Sequence, residues 1–595
     1  MQTDLRFDVR ELRIPAHILD GTPPTLADAR LMLQQLWGFP DFRDGQAEAI
    51  EAVLNGGDVM AVLPTGAGKS AIYQVLATLL PGTTLVVSPL IALMIEQVET
   101  LQAAGVSAAY INSSLAPGQL DSTQAALEAG RYKLCYVAPE RFDSPEFRAR
   151  LSRIAVPLFV VDEAHCVSEW GHDFRPAYAR LGTHRSIAGT PPVLAVTATA
   201  TPEVRRDIAA TLGMRNPAMV VRGVDRPNLF WEVAPAPDRT AKLRILAPLL
   251  VQLDTGSAIV YAESRAQTEE LADWISSLGI RAAPYHAELD ASTRRQVQQG
   301  FMASEIPVVV ATSAFGMGID KPDVRLVVHF SFPSTLETYY QQAGRAGRDG
   351  KAARCILLYS PADRRLHEIR IEEMHPSADT VRIIYAALDA DVDADGRLDG
   401  TLAAWSRAVG IASEGQTAAA VRILASAAIA RNAQRGREGA FLRLAGDPGR
   451  SHAKIGGRSS TPRDVLAKLL SHPGEEALRN GITLRGAEIT ALAKDRRTAR
   501  SGLEALAEAA ILDVAWEETG CRVLMRGLDP GILPVDWAAQ HRLKQRLRSR
   551  LAQVEAYAHS VGCRRLHLLH YFGDAETTAC GGCDRCANAV WKAAA

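Results

Sequence analysis

Eight short apolar runs, most of them followed by a loop of glycine, proline or serine, restrict the fold of this chain most strongly. They are VMAVLP (59–64), TLVVSP (84–89), KLCYVAP (133–139), LFVVDEA (158–164), VLAVTAT (193–199), SAIVYAE (257–263), VVVATS (308–313) and LVVHF (326–330). Such runs are typical of parallel strands that helices cover on both faces. Polar residues follow them at the carboxyl ends, where open α/β sheets hold their ligands. Because the pattern breaks at GVDRPNL (223–229), the sequence predicts an α/β fold with two tandem parallel-sheet lobes.

The length of 595 residues is too great for one hydrophobic core and predicts about three to five domains. We place an N-terminal extension at 1–25, the first lobe at 26–228 and the second lobe at 229–365. Alanine-rich helical sequence then predicts winged-helix-like domains at 375–447 and 462–530, joined by a basic linker at 448–461, before a helical platform and a cysteine-rich module at 535–590. Winged helices often bind DNA, although helical scaffolding explains either copy equally well.

Two basic segments of this C-terminal half have two interpretations each. Residues 431–463 contain eight Lys and Arg against two Asp and Glu, which fits a solvated linker or an arm that contacts phosphates. The segment QHRLKQRLRSRLAQVEAYAHSV (540–561) begins with Arg542, Lys544, Arg546, Arg548 and Arg550. These side chains fit a solvated helix face or a surface that contacts a nucleic-acid duplex.

Composition excludes some classes of protein. With 47% hydrophobic residues, 22% charged residues and a net charge of -1 at pH 7, the chain is typical of a folded protein. A net charge near zero neither predicts nor excludes nucleic-acid binding, because acidic surface can balance a basic groove. The N-terminus MQTDLRFDVRELRIP lacks an apolar core of signal-peptide length, and no run reaches the roughly 18 apolar residues of a membrane span. We therefore expect a cytoplasmic protein without membrane contact.

The segment PTGAGKS (64–70) lies between a predicted strand and the helical stretch SAIYQVLATLL. At such a junction, Gly66 and Gly68 let backbone N–H groups and the helix N-terminus surround a polyphosphate. Lys69 can reach the β- and γ-phosphates, and Ser70 can ligate Mg²⁺. Together with Thr65, these residues predict a site for ATP and Mg²⁺.

Further catalytic candidates lie in each lobe. VVDEAH (160–165) brings Asp162 and Glu163 to a strand end, where Asp162 is expected to hold Mg²⁺ and Glu163 to polarise the attacking water. QQAGRAGRDG (341–350) places Arg345 and Arg348 three residues apart, so that both can point at one anion. We expect them to stabilise charge on the γ-phosphoryl group across the cleft between the lobes. With Lys69, these four are the predicted catalytic residues.

The eight cysteines fall into two groups. Cys135, Cys166, Cys355 and Cys521 are scattered and are expected to be buried thiols. The others, Cys563, Cys580, Cys583 and Cys586, form C-x16-C-x2-C-x2-C, a spacing that can close a tetrahedral structural Zn²⁺ site. Four thiolates also bind iron–sulfur clusters, so the spacing alone leaves the metal open. Disulfides are disfavoured in a cytosolic chain.

These motifs occur in the order of a superfamily 2 helicase, and the segments between them resemble the RecQ family. GFPDFRDGQAEAI (38–50) is similar to the family's adenine-reading motif. This resemblance implies that Phe39 stacks on the base and that Arg43 and Gln46 contact the adenine edge or nearby phosphates. SPLIALMIEQV (88–98) and YVAPERF (136–142) resemble DNA-contacting motifs, and VTATA (196–200) resembles the motif that links hydrolysis to movement. The resemblance covers about residues 26 to 365 and implies that both lobes are RecA-like.

CVSEWGHDFRPAY (166–178) is similar to the aromatic-rich loop that couples DNA binding to hydrolysis in the family. Trp170 and Phe174 can stack on bases, and Arg175 can meet a phosphate. His172 is the fourth residue that the resemblance places at DNA. VYAESRAQTEELA (260–272), YHAELD (285–290) and ATSAFGMGIDKPDVR (311–325) resemble the family's DNA motifs of the second lobe, and Asp320 in the last of them is expected at the nucleotide.

GCRRLHLLHYFGD and CGGCDRC resemble the RecQ zinc module, which implies zinc rather than iron. The order of domains departs from the family, whose members usually place this module directly after the second lobe and follow it with a winged helix. Here about 170 residues of winged-helix-like sequence come first. For this reason, no residue is assigned to a strand-separating hairpin.

The resemblance implies an ATP- and Mg²⁺-dependent DNA helicase that carries Zn²⁺ and moves 3′ to 5′ on single strands in recombination and repair. Its expected partner is DNA, either single-stranded or as a tailed or forked duplex. One alternative is a translocase or RNA helicase with the same engine. Another is a winged-helix DNA-binding regulator with a vestigial ATPase, against which the intact PTGAGKS, DEAH and GRAGR motifs argue.

Overall fold

The first lobe is built on a sheet of seven parallel strands. These strands are β1 Val59–Val62, β2 Thr84–Val87, β3 Ala108–Ile111, β4 Leu134–Val137, β5 Phe159–Val161, β6 Val193–Thr197 and β7 Ala218–Val221. The structure is a computed structural model, and it describes residues 12–64, 66–168, 175–223, 225–253, 255–315, 321–394, 396, 398, 402–432, 439–445, 461–493, 496–509, 511–516 and 521–591. The order of the strands across the sheet is β3-β4-β2-β5-β6-β1-β7. Since β1 and β5 both flank β6, the loops that carry PTGAGKS and DEAH leave the sheet close together.

Helices cover both faces of this sheet. They are Ala16–Leu19, Leu26–Trp37, Gln46–Leu54, Lys69–Leu79, Ile91–Ala103, Pro117–Glu128, Pro145–Leu151, Leu181–Ile187 and Pro202–Thr211, with single turns at Pro139–Asp143, Ala164–Val167 and Tyr178–Arg180. The helix at Leu26 begins with a capping box between Thr25 and Asp28, which satisfies backbone N–H groups at its start. Alternate residues of each strand enter two separate apolar cores, one on each face of the sheet.

The second lobe has six parallel strands. They are β8 Leu229–Pro235, β9 Ser257–Tyr261, β10 Ala282–Tyr285, β11 Val308–Ala311, β12 Val324–His329 and β13 Ala353–Tyr359, in the order β10-β11-β9-β12-β13-β8. Its helices are Arg239–Val251, Arg265–Ser277, Ala291–Met302 and Leu336–Ala343, and Pro361–Met374 follows β13. The predicted pair of RecA-like parallel-sheet lobes is therefore confirmed.

The chain divides into two units, Met1–His367 with Arg548–Ala595 and Glu368–Leu547. In the first unit, residues 563–591, which we call the cysteine module, contain the helices Arg564–Tyr571 and Asp584–Trp591. The helix Trp537–His559 precedes them, and its residues from Arg548 onward belong to this unit. The module packs on β8, the edge strand of the second lobe, where Trp231 forms a parallel bridge with Cys583. Asp584 also accepts a hydrogen bond from the backbone of Val233 at 3.2 Å, so a side chain satisfies part of the exposed sheet edge.

The second unit contains two modules with separate cores. The outer module consists of the helices Ala378–Asp391, Leu402–Val409 and Glu414–Ser426, the hairpin strands β14 Ala430–Asn432 and β18 Cys521–Val523, and a turn at Pro530–Ile532. The inner module consists of the strands β15 Gly439–Leu444, β16 Ile482–Arg485 and β17 Leu512–Trp516, the helices Thr461–Leu469, Glu475–Asn480, Gly486–Ala491 and Arg496–Glu508, and a turn at Leu470–Gly474. β15 pairs antiparallel with both β16 and β17.

The strand pairing departs from the predicted division into domains at 375–447 and 462–530. β14 pairs with β18, and the whole inner module lies between these two strands in the chain. β15, which the sequence placed in the first domain, instead forms the centre of the inner sheet. The inner module is thus inserted into the hairpin of the outer one. The hydrophobic pattern could not reveal this arrangement, because it marks strands without specifying their partners.

Two further predicted segments lie partly outside the described residues. In the N-terminal extension at 1–25, the description begins at residue 12, and in the basic linker at 448–461 it includes only Thr461. Among the residues that the structure describes, no helix has both the length and the apolar character needed to cross a membrane.

Candidate nucleotide and metal sites

The phosphate-binding loop joins β1 to the helix Lys69–Leu79. Gly66 and Gly68 have φ angles of 84° and 73°, a left-handed conformation that glycine adopts at no steric cost. The ammonium of Lys69 donates to the carbonyl oxygens of Leu63 and Pro64 at 3.1 and 3.2 Å. Ser70 is the second residue of the helix and hydrogen-bonds to Tyr73. The turn therefore presents backbone N–H groups and an ammonium to a polyphosphate.

Two adjacent carboxylates lie at the end of β5, facing this loop. Burial raises the pKa of Asp162 to about 7, with a further contribution from the neighbouring Glu163. Burial also lowers the pKa of Lys69, while attraction to Glu163 and Asp162 opposes that shift. The three groups therefore lie close enough to interact electrostatically. A metal cation at Asp162 would favour the ionised carboxylate, which is the form that ligates Mg²⁺.

Glu163 lies in an unusual backbone conformation. Its φ of 47° and ψ of 48° are left-handed, which costs a residue other than glycine on the order of 1–3 kcal/mol. His165 lies 3.3 Å from the carboxylate of Glu163 and 3.0 Å from the hydroxyl of Thr197. Thr197 belongs to VTATA, so one imidazole joins the DEAH segment to that motif. His165 is the fourth residue of DEAH, and its contacts were not predicted from the sequence.

The second lobe brings its arginines to the same place. A Cβ atom on Gly66 would lie 3.6 Å from Cδ of Arg348, so this side chain reaches the phosphate-binding loop of the first lobe. Arg345 is buried and hydrogen-bonds to the hydroxyl of Tyr261. That hydroxyl also donates to the carbonyl oxygen of Phe315 at 3.0 Å. The predicted crevice therefore contains Lys69, Asp162, Glu163 and Arg348, with Arg345 beside it, while the catalytic roles of these residues stay predictions.

The adenine-reading candidates contact the loop itself. Gln46 donates to the carbonyl oxygens of Ala67 and Gly68, both at 2.8 Å, and Arg43 donates to that of Gly66. Phe39 is half exposed, with the guanidinium of Arg43 5.8 Å from its ring centre. The three residues thus lie beside the nucleotide site, and the amide of Gln46 holds the loop backbone in this conformation.

Five predicted site residues lie outside the described residues, namely Thr65, Trp170, His172, Phe174 and Asp320. Arg175, the remaining residue of the predicted DNA-contacting set, is half-buried. Its guanidinium donates to the carbonyl oxygen of Pro89 at 3.3 Å. Pro89 belongs to SPLIALMIEQV, so two of the segments that resemble DNA-contacting motifs touch each other.

The four C-terminal cysteines come together in the cysteine module. The sulfur atoms of Cys563, Cys580, Cys583 and Cys586 all lie within 4.8 Å of one another. Such a cluster fits a tetrahedral tetrathiolate metal site without an open position, as structural zinc requires. The other four cysteines are buried singly, which confirms that prediction.

Backbone N–H groups point at the sulfur atoms of this cluster. Cys580 donates to Cys563 at 3.4 Å, Arg564 donates to Cys583 at 3.4 Å, and Gly582 donates to Cys580 at 3.3 Å. Burial alone would raise the pKa of Cys563, but the N–H groups of Leu566 and Cys580 lower it to about 7. Donors of this kind stabilise thiolates, the form that binds a metal.

Comparison with known proteins agrees with this geometry. The DEAD/DEAH box helicase family model matches residues 43–208, the helicase conserved C-terminal domain matches 241–350, and the RecQ zinc-binding model matches 525–587. The probable ATP-dependent DNA helicase RecS of Bacillus subtilis is 42% identical over 61% of this chain and 73% of its own length. The chain belongs to the RecQ family. The matched zinc-binding segment contains all four clustered cysteines, which identifies zinc as the metal of this RecQ-family chain.

Other relatives match a similar share of the chain. The ATP-dependent DNA helicases RecQ of Pasteurella multocida and of Bacillus subtilis are each 42% identical over 58% of this chain. The matches span 54% and 58% of those two proteins, which is little more than half of their length. The shared sequence thus supports membership of the family and the helicase domains more directly than it supports the activity of a whole protein.

Proposed function

We propose that this RecQ-family chain is an ATP-dependent DNA helicase that unwinds duplex DNA in the 3′ to 5′ direction. The observation that carries the proposal is the position of Arg348 against Gly66. It brings a cation of the second lobe to the loop of the first lobe that also holds Lys69. A nucleotide bound there touches both lobes, so its hydrolysis changes how the lobes hold each other.

Each residue has a distinct role in this mechanism. Lys69 and the backbone of Gly66 and Gly68 bind the phosphates. Mg²⁺ held by Ser70 and Asp162 would neutralise charge on the β- and γ-phosphates. Glu163 orients the attacking water and accepts its proton, and His165 holds Glu163 in place. Arg345 and Arg348 stabilise the charge that develops on the γ-phosphoryl group.

DNA binding is proposed on the first lobe, around Arg175 and the segment before it. Trp170 and Phe174 would stack on bases, while His172 and Arg175 would meet the backbone. Arg175 lies nine residues after Cys166 of the DEAH turn in the sequence and touches Pro89. Occupancy by DNA can therefore be relayed to Glu163. The names of the relatives, which are ATP-dependent DNA helicases, support DNA as the substrate. We propose a role in recombination and repair in the cytoplasm, on single-stranded and tailed or forked DNA.

The test compares steady-state ATP hydrolysis with and without single-stranded DNA, together with unwinding of 3′-tailed and 5′-tailed duplexes. The proposal expects DNA to stimulate hydrolysis and expects unwinding of the 3′-tailed substrate only. Equal unwinding of an RNA duplex would redirect the proposal to an RNA helicase. Movement along DNA without strand separation would redirect it to a translocase, and DNA binding without any ATP turnover would refute it.

A further inference from the structure

Arginine and asparagine side chains between the lobes hold the turn that carries the two catalytic arginines. We call residues 344–348 the arginine turn and residues 225–228 the interlobe segment. The guanidinium of Arg226 donates to the carbonyl oxygen of Gly344 at 2.9 Å, to that of Ala346 at 2.7 Å and to that of Gly347 at 3.0 Å. Asn228 donates to the same oxygen of Gly347 at 2.8 Å.

These carbonyl groups lie just beyond a helix end, and that of Gly347 accepts from the backbone N–H of Gly350 at 3.1 Å as well as from the side chains. The helix Leu336–Ala343 ends directly before the arginine turn, and carbonyl groups at a helix C-terminus have no partner within the helix. The planar guanidinium of Arg226 supplies several N–H groups in a fixed geometry. The three carbonyl groups that it contacts belong to residues on either side of Arg345 and directly before Arg348. Arg226 therefore fixes the backbone from which both side chains extend.

The packing around Gly347 leaves little freedom for this backbone. The φ of Gly347 is 56°, and a Cβ atom there would lie 2.5 Å from the side-chain nitrogen Nδ2 of Asn228 and 2.7 Å from the carbonyl oxygen of Lys351. Only glycine fits this close approach without displacement. The interlobe segment and the arginine turn therefore pack as one piece.

The cysteine module holds the other end of the interlobe segment. Arg565 makes a two-pronged ion pair with Asp225, through Nε to one carboxylate oxygen and through Nη2 to the other. Its neighbour Arg564 is fully buried and pairs with Asp584, which lies between the metal-ligand candidates Cys583 and Cys586. The fold of the cluster therefore sets the position of Arg565.

We propose that Arg226 is a positioning residue for the arginine turn and that Arg565, through Asp225, lets the cysteine module hold it there. The inference rests on the proposed function, in which Arg345 and Arg348 act on the γ-phosphoryl group. It links the integrity of the cysteine module to ATP hydrolysis through two side-chain contacts. The phosphate-binding loop is not part of this path, so hydrolysis should be affected more than ATP binding.

The test measures kcat, KM for ATP and affinity for a non-hydrolysable ATP analogue in Arg226→Gln and Arg565→Gln. We expect Arg226→Gln to lower DNA-stimulated kcat by about 10- to 100-fold, as expected when a positioning contact is lost, with less than about a threefold change in analogue affinity. Arg565→Gln should lower kcat by a smaller factor in the same manner. Because both residues act on one path, the fold loss of kcat in the double variant should be well below the product of the two single losses.

Arg354→Gln is the matched control, since this exposed arginine of the second lobe pairs with Glu232 at 2.7 Å and touches no part of the arginine turn. It should retain normal kcat. Arg226→Lys tests geometry, because an ammonium donates from a single nitrogen atom and lacks the planar fork of the guanidinium. This variant should therefore restore only part of the rate. Bound zinc and melting temperature are measured for every variant, and if Arg226→Gln fails to fold, Arg565→Gln and Asp225→Asn take its place.

Arg348→Ala separates this inference from the proposed function. If Arg348→Ala retains normal hydrolysis, the proposed role of the arginines is refuted. If Arg348→Ala is inactive but Arg226→Gln and Arg565→Gln both have normal kcat, the proposed function stands and the inference is overturned. Equal losses of kcat and of analogue affinity would also overturn it, because they would indicate a general structural role.

Discussion

At the scale of single residues, burial and close charges prepare the nucleotide site before ATP binds. Asp162 is buried beside Glu163, which raises its pKa to about 7, and the half-buried Lys69 interacts electrostatically with both carboxylates. Such an arrangement is costly without a counter-ion. The cost is offset when Mg²⁺ and phosphates enter, so the site is built for its ligands rather than for the stability of the empty lobe.

Replacement of Glu163 tests the assignment of the residue that activates water. We expect Glu163→Gln to lower DNA-stimulated ATP hydrolysis by about 10²- to 10⁴-fold, the typical contribution of a positioned general base. Nucleotide binding should be retained, because Lys69 and the loop backbone are untouched. Steady-state hydrolysis and binding of a fluorescent ATP analogue measure the two effects. Normal turnover in this variant would contradict the assignment.

The pKa of Asp162 predicts how the stability of the nucleotide-free protein depends on pH. The folded-state pKa of about 7 lies above the ordinary value of 3.8, so between these values the folded protein holds a proton that the unfolded chain releases. Stability is therefore lost as pH rises through this window. Asparagine does not ionise, so Asp162→Asn does not lose this stability. Its melting temperature minus that of the natural protein should therefore increase between pH 5 and pH 8, by about 2 °C or more. If the difference in melting temperature stays constant with pH, the pKa of Asp162 is not raised by burial as described.

Spacing along the chain predicted the site residues that lie within one motif, and it missed the residues that support them from a distance. PTGAGKS, DEAH and GRAGR each carry their candidates within a few residues, and Lys69, Asp162, Glu163 and Arg348 lie at one crevice, while their catalytic roles stay predictions. Arg226 contacts a carbonyl group 118 residues further along the chain. A lone arginine in a loop is usually a solvated side chain, and only the folded backbone distinguishes this one.

At the scale of elements, the strands that the sequence identified most clearly are the central ones. β1, β2, β5 and β6 are buried along their whole length because the sheet is covered on both faces, and all their residues except Thr84 and Thr197 are apolar. The strands that the eight runs did not include are mainly at sheet edges, such as β3, β7, β8 and β10. Edge strands are half covered, so their apolar pattern is mixed. β8 alternates buried and half-buried residues, and β10 is half-buried throughout and contains a proline.

The cysteine module should depend on its metal for folding. We expect about one zinc ion per chain, and Cys583→Ser should lose it together with the structure of the module, because structural zinc supplies folding free energy. Cys521→Ala, which removes a buried thiol outside the cluster, should retain the zinc. Metal analysis and limited proteolysis measure both effects. Stoichiometric iron or a visible absorption band would contradict the zinc assignment.

The insertion of the inner module predicts which deletion the second unit tolerates. Asn432 pairs directly with Cys521, so a short turn can replace residues 433–520 without changing the outer core. We expect that deletion to leave the outer module folded. Deletion of 462–530, which follows the predicted domain boundaries, removes β17 and β18 and should unfold it, since burial of Val523 alone contributes roughly 1.5–3 kcal/mol. Circular dichroism and proteolysis compare the two proteins, and equal tolerance of both deletions would contradict the pairing.

At the scale of the whole molecule, the proposed activity depends on the two α/β lobes acting as one enzyme. Each lobe has its own sheet and core, and neither contains a complete site, because Lys69, Asp162 and Glu163 lie in the first lobe and the arginine turn in the second. The runs of apolar residues predicted both lobes. They did not predict the interlobe segment or the packing of the cysteine module, which arise from contacts between distant parts of the chain.

The most direct test is single-turnover ATP hydrolysis by Arg348→Ala in the presence of single-stranded DNA, with nucleotide affinity measured on the same protein. If Arg348 acts across the cleft, the hydrolysis rate should fall by about 10³-fold or more, as for the loss of an arginine finger. Affinity for ATP should change by much less, because the first lobe supplies the phosphate-binding loop. A hydrolysis rate within a few-fold of that of the natural protein would contradict the two-lobed site.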